Sequence, residues 1–205
     1  MLLDILFIYC KLNPDIGYRQ GMHEVLAPVL WVVARDAIDP MDLEACLEGQ
    51  AISDGVIMAS FDCQYIEHDA FTLFGILMQT VKSFYEIGGI EQAGTAATPA
   101  NSPIVKRSKR IHEEYLHRAD PELAEHLNAI EVLPQIFLIR WIRLLFGREF
   151  SFDEVLTLWD ILFAEDPALD LVDLVCVSML LRIRWQRKGL VIFLLRRELT
   201  VMLSY

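Results

Sequence analysis

The sequence predicts an all-α protein, an irregular multi-helix bundle, and three observations carry that prediction. Apolar residues recur three and four positions apart over most of the 205 residues. Helix-start signals, Asp-Pro pairs and an S-x-x-E box, open one segment after another. No apolar–polar alternation of useful length competes for a strand.

The elements follow in order. Leu2, Leu3, Leu6 and Tyr9 form a helical stripe that Asn13-Pro14 ends. A second helix is expected from Gly21 to Arg35, bent at Pro28. Asp39-Pro40 supplies an N-cap and first-turn proline for a short helix over Met41 to Leu47. Ile66, Ala70, Phe74, Leu77, Val81 and Phe84 mark one face of a long helix from Tyr65 to Ile87. Residues 88–103 shift to Gly, Ala, Thr, Ser, Asn and Pro, the composition of a flexible insertion. Helical pattern resumes over Ile104 to Arg118, and Asp120-Pro121 and Pro134 open two further helices. Ser151-Phe152-Asp153-Glu154 is a capping-box sequence, and Asp170 begins the last segment, with Asp173 in its first turn.

Composition excludes several classes of function. Apolar residues make up 54% of the chain, yet the longest runs, Val25 to Ala34 and Leu174 to Leu181, are too short to cross a bilayer. Met1 leads straight into apolar residues without a basic lead or a small-residue cleavage site, so a secretory signal is not expected. That abrupt start suggests a chain that begins inside a structural element. A net charge of −11 disfavours nucleic acid as the main partner. The basic stretch Lys106-Arg107-Ser108-Lys109-Arg110 is expected to be a solvated helix face. Cys10, Cys46, Cys63 and Cys176 form no metal-like pair and suggest buried thiols in a reducing, cytoplasmic setting.

Common catalytic patterns fail. His23-Glu24 opens like a zinc-protease H-E-x-x-H, but Ala27 stands where the second histidine must be. Glu67-His68-Asp69 gathers polar groups, but neighbours on a helix point about 100° apart, so a metal would need other ligands. A structural hydrogen-bonding role is the stronger reading, with an independent hydrolase the weaker one. Tyr18, Trp31, Phe71, Phe74, Trp141 and Trp159 are expected to be packing residues.

Gly17-Tyr18-Arg19-Gln20-Gly21-Met22 remains, a polar turn between two apolar helices. A glutamine amide accepts from a water while donating elsewhere, which suits placing water for phosphoryl transfer. Gly21 beside it would let a partner's backbone approach. By itself a Gln-Gly pair at a helix start is also an ordinary turn.

Tyr18-x-Gln20-Gly21-Met22 resembles the Y-x-Q-G-M motif of the TBC domain of Rab GTPase-activating proteins. Downstream, Leu156-Thr157-Leu158-Trp159-Asp160 resembles that family's L-x-x-W-D segment, and Arg140-Trp141 and Leu144 to Phe150 resemble the stretch leading into it. The likeness implies a partial TBC domain over residues 1–184, the later part of that fold, followed by a divergent tail over 185–205. It implies a Rab-family GTPase as partner, with Gln20 as a glutamine finger in trans. Tyr18, Arg19, Gly21 and Met22 would form the surface around it. No cofactor of its own is implied, because GTP and Mg belong to the partner.

The family's arginine finger, in an I-x-x-D-x-x-R motif upstream of the glutamine, has no counterpart among the seventeen residues before Tyr18. Arg19 does not replace it, since the family varies there. A chain lacking the finger would lose most of its activating power, leaving a non-catalytic helical binding module or a fragment as the alternative. The extended likeness around Gln20 and Glu67 points to a family branch in endosomal and autophagy traffic, implying endosomal or other vesicle membranes and a retromer-type coat. Trp159 and Asp160 are expected to be scaffold, with Asp160 a buried carboxylate paired to Arg140, Arg143 or Arg148.

Overall fold

The computed structural model describes residues 1–39, 60–86, 102–166 and 168–184. The short helix expected at Met41 to Leu47, Cys46, nearly all of the 88–103 insertion and the 185–205 tail lie outside them. The described residues are overwhelmingly helical, as the sequence predicts, with one isolated parallel bridge between Ile38 and Asp62. None of the described helices is long and apolar enough to cross a membrane.

The chain divides into two compact units, Met1–Gln79 and Thr80–Tyr205. In the first, α1 (Leu2–Leu12) packs on α2 (Met22–Asp36). The buried face of α1 is Ile5, Leu6 and Tyr9 rather than the expected stripe, and Leu3 is 79% exposed. Asn13 ends α1 by donating from its backbone and side-chain amide to the Tyr9 carbonyl. Pro28 is buried inside α2, which continues unbroken through it. α3 (Ile66–Val81) follows a single 3-10 turn at Cys63–Tyr65, and Phe74 meets the Tyr9 ring edge-on with centroids 5.0 Å apart. Met78, absent from the expected stripe, is fully buried, while Leu77 is only half-buried.

The second unit begins near the end of α3 and contains α4 (Pro103–Arg110), α5 (His117–Ala119), α6 (Pro121–Ala129), α7 (Gln135–Arg143), α8 (Phe152–Glu165) and α9 (Leu171–Arg184). The pattern over Ile104 to Arg118 is not one α-helix, because Ile111–Leu116 winds as a π-helix between α4 and α5. Ile111, His112 and Leu116 of this segment are buried, and α9 packs against it. Two predicted helix starts appear as drawn from sequence. The Asp120 carboxylate accepts from the Leu123 amide at 3.0 Å, and Ser151 and Glu154 close a reciprocal capping box.

The basic stretch of α4 is solvated at Lys106, Lys109 and Arg110, as expected, but two of its arginines also have an internal partner. Arg107 and Arg110 turn onto Asp173, which is 2% exposed, at 2.5 Å and 2.7 Å. Arg107, half-buried, also donates to the Leu169 carbonyl. Asp173 therefore does more than favour a helix dipole: two guanidinium groups offset its burial.

Candidate functional site

Residues 13–21 link α1 and α2, and glycine sets the shape of the later part of that link. Gly17 has φ +60°, and Gly21, the N-cap of α2, has φ +103°, a region that other residues enter only with strain. The Arg19 carbonyl accepts from the Met22 amide at 3.1 Å, closing a four-residue turn whose third member is Gly21. The Arg19 amide in turn donates to the Met22 sulfur at 3.4 Å. Gln20 is the second residue of that turn.

Gln20 is exposed, and its side chain makes no hydrogen bond among the described residues. Tyr18 is 51% exposed, and its hydroxyl meets His23 Nδ1 at 2.9 Å across the turn. Arg19 is half-buried, with its Nε enclosed. Gly21 and Met22, expected to lie in the surface around Gln20, are buried in this structure, Met22 completely. Their work is beneath the turn: Gly21 supplies the positive φ, and Met22 plugs the core so that the turn has a fixed base. Sequence reasoning tested His23 only as a zinc ligand and missed its contact with Tyr18. The available signal was a hydrogen-bonding side chain on the first turn of the helix, just past the glycine.

The other motif residues form scaffold in the second unit. Trp141 and Trp159 are buried, and the Trp159 indole N–H donates to the Leu145 carbonyl at 2.8 Å. That bond steadies a tight corner, since Leu145 and Phe146 both have positive φ, 45° and 64°, without being glycine. Arg140 closes the corner by pairing with Glu149 at 2.7 Å, both side chains being largely buried. Asp160 is exposed. The buried-carboxylate role expected for it falls to Glu149, because one residue beyond Trp159 the helix has already turned its side chain to solvent. Arg143 donates to the Phe84 carbonyl at 3.2 Å. Tyr18 and Trp31, grouped by sequence with the packing aromatics, are both substantially exposed.

The remaining candidates do not converge on chemistry. His68 Nδ1 lies 2.8 Å from Asp69 Oδ1 at an exposed site, while Glu67 faces the N-terminal ammonium group at 3.7 Å. Among the described residues no three His, Cys, Asp or Glu side chains are grouped to hold a metal. An open depression of about 350 Å³ lies over Ser83, Phe84, Pro103, Lys106, Arg107 and Arg110, and two of its cations are already engaged with Asp173. Cys176 is buried, and that burial pushes its thiol far above the ordinary range, leaving no thiolate for reaction. Cys10 and Cys63 are only half-buried, unlike the buried thiols expected.

Comparison with known proteins places this geometry in context. Residues 1–188 match the Rab-GTPase-TBC domain. The chain is 38% identical over 197 residues to TBC1 domain family member 5 of Homo sapiens, covering 90% of this chain and 24% of that protein. It is 32% identical over 183 residues to TBC1 domain family member 13 of Homo sapiens, covering 89% of this chain and 38% of that protein. Rab GTPase-activating protein 22 of Arabidopsis thaliana is 24% identical over 168 residues, 82% of this chain and 22% of its own length. The chain thus spans well under half the length of each of these relatives.

Proposed function

The chain belongs to the Rab-GTPase-TBC domain family, and on that premise we propose that it activates GTP hydrolysis by a Rab small GTPase, with Gln20 as a glutamine finger in trans. The observation that supports this most is the exposed, uncommitted amide of Gln20 at the tip of a glycine-shaped turn. Its carbonyl oxygen accepts from the attacking water while its NH₂ group donates to the GTPase, aligning the water with the γ-phosphate. The chain brings no acid, base or cofactor to the step. GTP and Mg are bound by the partner. The setting is the cytoplasmic face of endosomal or other vesicle membranes, and a retromer-type coat belongs to this reading only as an implication of the family resemblance.

An arginine finger contributes about 10³ to 10⁵ in rate, and no arginine precedes Tyr18. A second reading is that residues 1–205 bind a Rab without themselves hastening hydrolysis. Single-turnover GTP hydrolysis over a panel of Rabs separates the two. We expect weak stimulation of at least one Rab by this chain and strong stimulation by an upstream-extended version carrying an arginine finger. Binding to GTP-loaded Rab with no stimulation by either protein establishes the non-catalytic reading instead.

A further inference from the structure

We propose that His23 is a positioning residue for Gln20, acting as one end of a strap that holds the finger's turn; this rests on the water-orienting reading of Gln20. The Arg19–Met22 turn stands between two anchorages of unequal firmness. On one side His23 sits in the first turn of α2, whose Met22, Val25 and Leu26 are 0% exposed. On the other side Tyr18 lies in the exposed link, outside any helix. Tyr18 Oη and His23 Nδ1 are 2.9 Å apart, tying the loose side of the turn to the firm one.

Nε2 is 3.8 Å from the Glu24 carboxylate, beyond hydrogen-bond length but close enough to favour a ring proton on Nε2. Nδ1 then presents a lone pair, and the Tyr18 hydroxyl donates to it. The Gln20 side chain makes no hydrogen bond among the described residues, so among them the backbone of this turn is what directs it. A finger that must place a water to within a fraction of an ångström gains from a turn that does not flex.

The test is a mutant cycle in single-turnover GTP hydrolysis with a responsive Rab, read as the saturated rate and the half-saturating concentration separately. One exposed hydrogen bond corresponds to about a fivefold effect. His23→Ala and Tyr18→Phe are each expected to lower the saturated rate by about that factor, with the half-saturating concentration unchanged. Together they should do no more than either alone, and His23→Asn, whose side-chain oxygen stands near the Nδ1 position, should recover the rate. In a Gln20→Ala background His23→Ala should have no effect, because it acts only through the glutamine.

The same loss in that background, or a change confined to the half-saturating concentration, overturns the proposal. Hydrogen exchange at the Arg19 and Met22 amides, which donate within the turn at 3.4 Å and 3.1 Å, needs no hydrolysis. It should quicken about fivefold in His23→Ala, and unchanged exchange overturns the strap whatever the activity. If Gln20→Ala alone leaves hydrolysis undiminished while exchange responds to His23→Ala, the strap stands and the water-orienting reading falls.

Discussion

The Gln20 turn and the Trp159 corner are both built around sharp backbone bends, yet they are held in opposite ways. The turn uses glycine for its positive φ, leaves its central side chain in solvent and is held by one exposed side-chain bond and a part-buried contact to sulfur. The corner forces Leu145 and Phe146 into the same region of conformational space and holds them there with a buried indole bond and the Arg140–Glu149 pair. A residue that must reach a partner has to be spared internal contacts, while a residue that fixes a fold has to be saturated with them. Substitutions at the corner should therefore cost stability, and substitutions at the turn should cost function.

The largest expected effect is Trp159→Ala, which empties a buried indole site and leaves the Leu145 carbonyl without its donor. We expect a loss of about 3–5 kcal/mol, read by urea unfolding. A loss below about 1 kcal/mol would erase the contrast between corner and turn. Asp173→Ala in the same unit leaves Arg107 and Arg110 without their shared carboxylate and should cost about 3 kcal/mol. A double variant that also replaces Arg107 with Met should recover part of that loss.

Gly21→Ala tests the turn through its backbone. The φ of +103° is outside the range an alanine favours, so we expect about 1–2 kcal/mol of destabilisation together with displacement of Gln20. Ser151→Ala gives the smallest effect. The Ser151 hydroxyl and backbone amide hold the Glu154 carboxyl below its ordinary range. That stabilisation is present above the unfolded-state value and fades as the pH falls through the lower folded-state value. Stability measured against pH on the acid side should become slightly flatter in the variant.

Legibility in the sequence divides along the same line. Local signals were readable: Asp120-Pro121, the Ser151–Glu154 box and the stop at Asn13 all rest on contacts within a few residues. The polar tip at Gln20 was readable too, because glycine and a polar side chain between two apolar helices announce a turn. Partnerships across long separations were not. Asp173 takes its arginines from more than sixty positions earlier, so the basic stretch of α4 showed its solvated lysines but not the internal partner of Arg107 and Arg110. The Arg140–Glu149 pair was hidden by Asp160, which carried the more distinctive motif but points to solvent. The π-helical turn at Ile111–Leu116 leaves no trace in apolar spacing, since its inward residues fit an α-helical stripe equally well. At the turn itself, motif likeness grouped Gly21 and Met22 with Gln20 but did not reveal that both are buried.

The central claim is that the chain keeps Gln20 free of the fold so that it can serve a partner. Replacing Gln20 with alanine tests it most directly, with three readings on one protein: unfolding midpoint, affinity for GTP-loaded Rab and single-turnover hydrolysis. Stability should stay within about 0.5 kcal/mol and affinity should hold while the hydrolysis rate collapses. Undiminished hydrolysis, or a rate that falls only because the protein unfolds, would contradict the account.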